Sequence, residues 1–370
     1  MGLIAAGTMV LDGRICRPGW LETSAGQIAA CAPGPPPRPP DRDFPDCAVA
    51  PGFIDMHVHG GGGASYTDAD GIGDAAAFHR RHGTTTTLAS LVTAAPPELL
   101  SGVRALTDAT RRGTVAGIHI EGPWLSRARC GAHDPAQMRD PDPTEIDAVL
   151  AAGGDAIKMV TLAPELPGAD AAIRRFVDAG VVVAVGHTDA SYEQTRHAIA
   201  LGATVGTHLF NAMPPLHHRE PGAALALLRD SRVTVELIAD GVHLHRDVAR
   251  AVIEAAGVDR VAVITDAIAA AGGADGAYRL GAVRIDVVSG VARVQGTSTI
   301  AGSTATLDQL FARVAADAGL AAAVQVTSAT PARALGLDRV GSLRPGYNAN
   351  LVVLDRDLRV TAVMVRGDWL

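Results

Sequence analysis

Short apolar segments alternate with alanine-rich segments between about residue 50 and residue 320. The short segments are almost uniformly apolar, as expected for β-strands that are buried on both faces. The intervening segments, such as Ala169–Ala179 and Arg246–Ala256, have the apolar spacing of amphipathic helices. Eight β-α units in succession predict a (β/α)8 barrel. The predicted strands are Phe53–Val58, Thr84–Leu91, Val115–Ile120, Ile157–Leu162, Val181–Val185, Ala203–His208, Val233–Ala239 and Val261–Ile264.

The two ends of the chain have a different pattern, with short β-type segments and turn residues. Residues 1–49 and residues 341–370 are each too small to bury a core alone, so we predict that they combine into one small β-sandwich domain. Residues 50–340 then form the barrel, and Tyr278–Val294 is predicted to be an inserted β-hairpin that turns at Ser289-Gly290. The predicted terminal strands are Leu3–Val10, Trp20–Ile28, Cys47–Ala50, Ala349–Leu354 and Thr361–Arg366.

Polar side chains occur where the predicted barrel strands end. Strand alternation points His57 and His59 to the same face. Active sites of (β/α)8 barrels lie at the carboxyl ends of the strands, where side chains from different strands converge. The polar residues at these ends are His57, His59, Glu121, His187, His208, Asn211, Asp240, His243 and Asp266.

A single histidine in an apolar strand is usually a hydrogen-bonded core residue, and we interpret His119 and His82 in this way. His197, His217 and His218 are expected to be solvated surface residues. A buried ring of several imidazoles and carboxylates is different, because unpaired polar atoms are costly to bury. A divalent cation would remove that cost, since imidazole nitrogen and carboxylate oxygen suit zinc, iron or manganese. The ring therefore predicts a metal centre.

Composition excludes some classes of function. A net charge of −7, a pI near 6.0 and 4% aromatic residues argue against a nucleic-acid-binding protein. Neither a secretory leader nor an apolar segment of membrane-spanning length is present, so we expect a soluble cytoplasmic protein. The 4 cysteines lack C-x-x-C spacing and are expected to be reduced thiols.

The strand ends and the loops that follow them contain extended sequence motifs. They are Pro51-Gly52-Phe53-Ile54-Asp55-x-His57-x-His59-Gly60, His119-Ile120-Glu121-Gly122-Pro123-Trp124, Val185-Gly186-His187-Thr188-Asp189-Ala190, Thr207-His208-Leu209-Phe210-Asn211-Ala212-Met213, Arg219-Glu220-Pro221-Gly222, Asp240-Gly241-x-His243 and Thr265-Asp266-Ala267. These motifs resemble those of the amidohydrolase superfamily and, within it, the N-acetylglucosamine-6-phosphate deacetylases. The resemblance spans the whole chain, and the motifs occur in the family's order.

The resemblance implies hydrolysis of the acetamide of N-acetylglucosamine 6-phosphate to glucosamine 6-phosphate and acetate. It also implies one or two divalent ions, with two favoured because the H-x-H pair is present. Zinc is the expected ion, and iron, manganese and cobalt are alternatives. Glu121 would bridge the two positions. The implied ligands are Glu121, His187 and His208 at one position, and His57, His59 and an approaching Asp266 at the second.

Roles in catalysis and substrate binding follow from the same resemblance. Asp266 would accept the proton of the attacking water and pass it to the leaving amine. His133 would stabilise the oxyanion of the acetyl group. Arg219 would bind phosphate from a neighbouring subunit, which implies a homodimer. The implied substrate-binding residues are Ala132, Asn211, Ala212, Arg219, His243, Ile300, Ala301, Gly302 and Ser303.

Some members of the superfamily bridge two metals with a carboxylated lysine at the end of strand four. The single lysine here, Lys158, lies in mid-strand, so Glu121 is expected to bridge instead. Two alternatives stay open. One is another amidohydrolase, acting on a cyclic amide or a dipeptide and indifferent to phosphate. The other is a non-catalytic barrel that serves as a scaffold or ligand sensor, although such proteins usually lose ligands or the strand-eight aspartate.

Overall fold

The computed structural model describes residues 2–370. Its largest parallel sheet contains eight strands whose order in the sheet follows the chain. The first and last strands are joined just beyond their ends, where the Asp266 amide donates to the His57 carbonyl at 2.9 Å and the His59 amide donates to the Ala267 carbonyl at 2.8 Å. The predicted (β/α)8 barrel is therefore confirmed. Its strands are Phe53–Val58, Thr84–Leu91, Gly117–Glu121, Ile157–Leu162, Val182–Val185, Ala203–Gly206, Thr234–Leu237 and Val261–Val263.

Helices connect the barrel strands and bury one apolar face each. Ala169–Asp178, for example, buries Ala172, Ile173 and Phe176 while its charged residues face solvent. The spacing of these residues is that of an amphipathic helix. The α-helices are Ile72–Arg81, Pro96–Arg111, Pro143–Gly153, Ala169–Asp178, Tyr192–Leu201, Gly222–Arg229, Arg246–Ala256, Leu307–Ala318, Leu320–Val324 and Thr330–Ala334.

Both chain ends contribute to a second, mixed sheet of eight strands. The ends meet where Arg42–Pro51 pairs antiparallel with Leu351–Leu354. The strands pack around an apolar core of their own that includes Met9, Leu21 and Val353. The predicted small β-domain built from both termini is therefore confirmed. Its strands are Gly2–Leu11, Arg14–Cys16, Gly19–Ser24, Gln27–Pro33, Arg42–Pro51, Leu351–Leu354, Val360–Val365 and Asp368–Trp369.

One predicted terminal strand is wrong. Trp20–Ile28 is interrupted by a tight turn at Ala25 and Gly26, whose φ angles are 49° and 77°. Two positive φ angles in succession are typical of the turn that joins antiparallel hairpin strands. The segment therefore forms two paired strands, Gly19–Ser24 and Gln27–Pro33.

The segment inserted after the eighth barrel strand contains three antiparallel strands, one more than a hairpin. They are Gly276–Leu280, Val283–Val288 and Val291–Val294. The second turn is at Ser289-Gly290, where both residues have positive φ angles. Side chains from each strand pack with Ile268 and Ala301 in one apolar cluster.

The described chain divides into two compact units. One contains residues 2–55, 77–86 and 306–370, and the other contains residues 56–76 and 87–305. All of the expected metal ligands lie in the second unit. The extent expected for the small β-domain, residues 1–49 and 341–370, stays a prediction. Within residues 2–370, every helix is too short or too polar to cross a membrane.

Candidate metal centre and substrate cavity

The carboxyl ends of the barrel strands bring six polar side chains into one buried cluster. Each lies in its strand's last residues or within three residues of its end, as expected for the active-site face of this fold. None is more than 9% exposed. They are His57, His59, Glu121, His187, His208 and Asp266.

Glu121 lies at the centre of the cluster, and its two oxygens face different sets of histidines. Oε1 lies 3.1 Å from His187 Nε2 and 3.0 Å from His208 Nε2. Oε2 lies 3.1 Å from His59 Nε2 and 3.2 Å from His133 Nε2. This carboxylate is therefore placed to bridge two neighbouring positions.

His57, His59 and Asp266 form the first group of possible ligands, with ligand atoms that all lie within 4.8 Å of one another. The Nε2 atoms of His57 and His59 are 3.2 Å apart. Asp266 Oδ1 lies 3.2 Å from His59 Nε2 and 3.5 Å from His57 Nε2. Ring nitrogens this close to each other and to a carboxylate oxygen need a proton or a cation to lie between these atoms.

A second group within 4.8 Å contains Glu121, His133 and His187. His208 belongs beside it, because its Nε2 lies 3.1 Å from that of His187. His133 differs from the others in its tautomer. Its Nδ1 accepts the Thr93 backbone amide at 3.2 Å, so the neutral ring carries its proton on Nε2. A protonated Nε2 is a hydrogen-bond donor, so His133 is not suited to bind a metal through this atom.

Two of the other histidines have the opposite tautomer. The outer nitrogen of His59 lies 3.2 Å from the Ser90 carbonyl oxygen, and that of His187 lies 2.9 Å from the Arg129 carbonyl oxygen. A carbonyl oxygen only accepts, so each Nδ1 carries the proton and leaves the Nε2 lone pair facing the cluster. Such outer partners are typical of metal-binding histidines.

Glu236 supplies the corresponding partner for His57, and the sequence interpretation missed it. The glutamate is completely buried on the seventh barrel strand, and its Oε2 lies 3.0 Å from His57 Nδ1. The one signal in the sequence is a carboxylate within the otherwise apolar segment Val233–Ala239.

The cluster is strongly electrostatically coupled. Burial disfavours the charged imidazoles, but Glu121 and Asp266 outweigh it, raising the pKa of His59 to about 9 and holding the pKa of His57 well above its ordinary value. Burial also disfavours the carboxylates, yet the histidines hold the pKa of Glu121 and Asp266 below their ordinary values. Anionic oxygens and inward-facing nitrogens together demand positive charge, so the donor set fits a divalent cation.

Three of these residues have left-handed backbone conformations. The φ angles are 46° at His187, 26° at His208 and 48° at Asp266. Residues other than glycine are strained in this region, and such strain is concentrated at functional sites. The sharp turns follow directly after the strands and direct the side chains toward the barrel axis.

A cavity of about 300 Å³ opens above the cluster. Six of the nine residues expected to bind substrate line it: Ala132, Asn211, Ala212, His243, Ile300 and Gly302. Four further lining residues were not expected from the sequence: Gly131, Leu280, Ser298 and Thr299. Ser298 and Thr299 come just before the expected pocket loop, so extending that loop by two residues would have included them.

The remaining three expected substrate residues lie elsewhere. Ala301 is buried in the apolar cluster of the inserted sheet. Ser303 is buried, and its amide donates to the Asp266 carbonyl at 2.8 Å, so it supports the turn at that aspartate. Arg219 is exposed, and its Nη1 lies 2.7 Å from His218 Nε2. Arg219 is not part of the wall of its own chain's cavity.

His243 is oriented by Asp240. The Asp240 Oδ2 lies 2.7 Å from His243 Nδ1, and Oδ1 accepts the Val242 and His243 backbone amides at 2.8 Å. Burial raises the pKa of Asp240, but the hydrogen bond and charge of His243 together with the two backbone amides outweigh burial and lower the pKa below its ordinary value. The Nε2 of His243 is thereby left for a ligand in the cavity.

His119 and Lys158, which were not predicted to be metal ligands, lie outside the centre. Both nitrogens of His119 have hydroxyl partners, Ser90 at 2.9 Å and Thr161 at 2.8 Å, which confirms it as a hydrogen-bonded core histidine. Thr161 faces the barrel interior, and Lys158, three residues earlier on the same strand, points to the opposite face. Lys158 is therefore not placed to bridge metals.

Comparisons with known proteins agree with this geometry. The N-acetyl-D-glucosamine-6-phosphate deacetylase of Mycobacterium smegmatis has a solved structure with a TM-score of 0.98, 53% identity and coverage of 100% of both chains. A variant of that enzyme was solved in complex with N-acetyl-D-glucosamine-6-phosphate. The N-acetylgalactosamine-6-phosphate deacetylase of Escherichia coli O157:H7 is 36% identical over 97% of this chain and 98% of its own length.

A third relative, the N-acetylglucosamine-6-phosphate deacetylase of Lysinibacillus sphaericus, is 36% identical over 86% of this chain and 84% of its own length. The amidohydrolase family matches residues 48–370, which include the whole candidate centre. Family membership implies a divalent metal, and the buried nitrogen and oxygen donors described above suit one. The chain therefore belongs to the amidohydrolase family.

Proposed function

We propose that the protein hydrolyses the acetamide of N-acetylglucosamine 6-phosphate to glucosamine 6-phosphate and acetate, in amino-sugar catabolism. The observation that carries this proposal is the buried Glu121, which contacts histidines from three other strand ends beneath a cavity large enough for a small sugar. The names of the relatives supply the substrate class.

We propose two divalent ions per subunit, with zinc first and iron, manganese or cobalt as alternatives. When bound, such ions lower the pKa of water towards about 7 and polarise an acyl oxygen. Mixed imidazole and carboxylate donors favour these metals over magnesium or calcium. The proposed ligands are His57, His59 and Asp266 at one position, and His187 and His208 at the other, with Glu121 shared.

Asp266 is proposed as the general base and acid. His57 and His59 keep its pKa low despite its burial, so the carboxylate is anionic and ready to accept a proton from the attacking water. The Asp266 carboxyl group then delivers that proton to the leaving amine, which must be protonated before it leaves. Asp266 also borders the cavity, as this role requires.

His133 is proposed to stabilise the oxyanion. Its Nδ1 is occupied by the Thr93 amide, so Nε2–H is the donor at the cavity. Burial outweighs the nearby carboxylate and lowers the pKa of His133 to about 4, so the ring is neutral at physiological pH. A fixed neutral donor at the acetyl oxygen stabilises the charge that develops there.

At the phosphate end, Asn211, Ala212 and His243 line the cavity. Arg219 is proposed to complete this end from the partner subunit of a homodimer. Two features support that arrangement. Arg219 is exposed in its own chain. Two apolar side chains are also exposed, Leu216 in the same loop by 53% and Val242, next to His243, by 42%. A cytoplasmic location is proposed because all 4 cysteines are free thiols.

The direct test is acetate release from N-acetylglucosamine 6-phosphate by the metal-replete protein, repeated after removal of metal with a chelator. We expect release that stops on chelation and returns with zinc. N-Acetylgalactosamine 6-phosphate and unphosphorylated N-acetylglucosamine measure the contributions of the sugar epimer and the phosphate. No release from the metal-replete protein would exclude the proposed function, and equal activity without phosphate would favour another amidohydrolase reaction.

A further inference from the structure

Glu236 is a buried carboxylate that the proposed reaction does not use. Its side chain is completely buried, and its two hydrogen-bond partners among the described residues both belong to the candidate metal centre. Its Oε2 lies 3.0 Å from His57 Nδ1 and accepts the His208 backbone amide at 3.2 Å. Among the described residues, its Oε1 has no hydrogen-bond partner. One carboxylate oxygen thus contacts one histidine from each half of the centre.

Glu236 also contacts the turn that presents His208. The Glu236 carbonyl accepts the Leu209 amide at 2.9 Å, next to the bond from the His208 amide to the side chain. His208 has a φ of 26°, which is strained for a residue other than glycine. Two adjacent amides of this strained turn are therefore held by one residue.

We propose that Glu236 is a positioning residue for the metal centre, acting through His57 and His208. As the acceptor for His57 Nδ1–H, it fixes the tautomer in which the Nε2 lone pair faces Asp266 and Glu121. As the acceptor for the His208 amide, it keeps the His208 ring against Glu121. The inference rests on the metal-binding part of the proposed function and not on the choice of substrate.

The chemistry of the position supports a role for the Glu236 carboxylate in the metal centre rather than a purely structural role. Burying a carboxylate with one free oxygen is costly, and an apolar residue on this strand would avoid that cost. The cost is offset where the carboxylate strengthens a charge-assisted hydrogen bond and raises the basicity of a ligand nitrogen. The position beside His57 provides this compensation.

The test compares zinc affinities of the Glu236→Gln and Glu236→Ala variants, measured by competition with a chromophoric chelator. Glutamine keeps a neutral acceptor for both hydrogen bonds but removes the negative charge beside His57. We therefore expect the zinc affinity of the position that contains His57 to fall about 10- to 100-fold, and the affinity of the position that contains His208 to change little. Alanine removes both bonds, so both affinities should fall. Thr234→Val is the matched control, two residues away on the same strand and the same face, and should change neither affinity.

Two further measurements show whether the loss of zinc affinity arises from the contact between Glu236 and His57. In a double-mutant cycle with His57→Asn, Glu236→Gln should not change the zinc affinity that remains, because the histidine that Glu236 contacts has been removed. In zinc-loaded protein labelled with 15N-histidine, a downfield Nδ1–H signal that His57→Asn removes should shift in Glu236→Gln and disappear in Glu236→Ala. This signal reports the tautomer, which a merely structural residue would not control.

The proposal is overturned if Glu236→Gln leaves both affinities as in the unmodified protein, or weakens both equally. If Glu236→Ala does not fold, the glutamine variant and the cycle still decide. A protein that binds two ions with the predicted split but releases no acetate would contradict the proposed function alone. A protein that releases acetate while Glu236→Gln changes no affinity would contradict this inference alone.

Discussion

Asp266 lies three residues beyond the eighth barrel strand, at the junction between the metal ligands and the cavity. Its Oδ1 is 3.2 Å from His59 Nε2, and its backbone is held in a left-handed turn by the bond from the Ser303 amide. We expect Asp266→Asn to lower the rate of acetate release about 10²- to 10⁴-fold, because asparagine cannot accept the proton of the attacking water.

The measurement is steady-state acetate release together with metal content. The drop should be in kcat, and Asp178→Asn, at an exposed helix end, should leave kcat unchanged. A rate for Asp266→Asn within tenfold of the unmodified protein, with metal still bound, would contradict its assignment as general base.

In the proposed two-metal centre, His57 and His59 bind the ion that a one-metal centre would lack. Replacing both with asparagine removes the two nitrogens of the first group but leaves Glu121, His187 and His208 in place. We expect the metal content, measured by elemental analysis, to fall from two ions towards one per subunit, with some activity retained. His197→Asn, at a solvent-exposed helix position, is the control. Loss of all bound metal in the double variant would show that the positions do not bind independently.

Residue types and strand positions were enough to predict which side chains converge. Each expected ligand lies at the end of an apolar strand or just after it, and parallel strands of a barrel end at the same face. The outer partners could not be predicted in the same way. His59 and His187 are oriented by backbone carbonyls of Ser90 and Arg129, and every residue has a carbonyl. Glu236 was visible in the sequence, but its contact with His57 depends on two strands that are remote in the chain.

At the scale of elements, the first turn of the helix Leu307–Ala318 depends on a pair outside the metal centre. Asp308 Oδ2 lies 3.2 Å from His82 Nδ1, a contact that joins residues 226 positions apart. Burial raises the pKa of Asp308, but the hydrogen bond and charge of His82, together with the hydrogen bonds from Thr306 and the Gln309 amide, outweigh burial and lower the pKa below its ordinary value. A lowered pKa in the folded state means that the charged carboxylate stabilises the fold above the unfolded pKa, and that this contribution is lost as pH falls.

We therefore expect Asp308→Asn to reduce the free energy of unfolding by about 1–3 kcal/mol at pH 7. The difference from the unmodified protein should shrink as the pH falls below about 4, because Asp308 is then protonated first in the unfolded chain and, at still lower pH, in the folded protein. Urea unfolding at pH 7 and pH 3.5 measures both effects. Asp74→Asn, at an exposed aspartate in another helix's first turn, is the control. An equal loss of stability at both pH values would contradict a charge-dependent role.

Elements with a uniform pattern were predicted well, and those that depend on turns were not. The first, second and fourth barrel strands have the predicted bounds because strands buried on both faces are apolar throughout. Trp20–Ile28 failed because alternation continues across the turn at Ala25-Gly26 and alanine rarely adopts a positive φ. The first strand of the inserted sheet, Gly276–Leu280, was not separated from the second because Gly281 and Ala282 give a weak turn signal.

At the scale of the whole molecule, the cavity is bordered by polar side chains from several strand ends, but its proposed phosphate end has no cation from its own chain. The cavity wall contains no arginine or lysine among the described residues. A dianionic phosphate is bound most strongly by a guanidinium fork. In a symmetric dimer, each subunit presents the same surface to its partner. The exposed arginine of each subunit is therefore able to complete the site of the other subunit.

Arg219→Ala should therefore raise the KM for N-acetylglucosamine 6-phosphate about 10- to 100-fold, with little change in kcat. We expect the acetamide end to be unaffected by this change, because Arg219 does not line the cavity of its own chain, which Asp266 borders. His217→Ala, an exposed neighbour in the same loop, is the control and should leave KM unchanged. An unchanged KM for Arg219→Ala would exclude it as the phosphate ligand.

The subunit that supplies Arg219 is identified by mixing two defective chains. When Arg219→Ala and Asp266→Asn chains are co-expressed with different tags, a mixed dimer has one site with both substitutions and one site with neither, if the arginine acts across the interface. Random pairing makes half of the dimers mixed, so activity at low substrate should recover to about a quarter of that of the unmodified protein. If Arg219 serves its own subunit, every site in the mixed dimer is defective and no recovery occurs. A monomer in solution with a normal KM would exclude the shared site altogether.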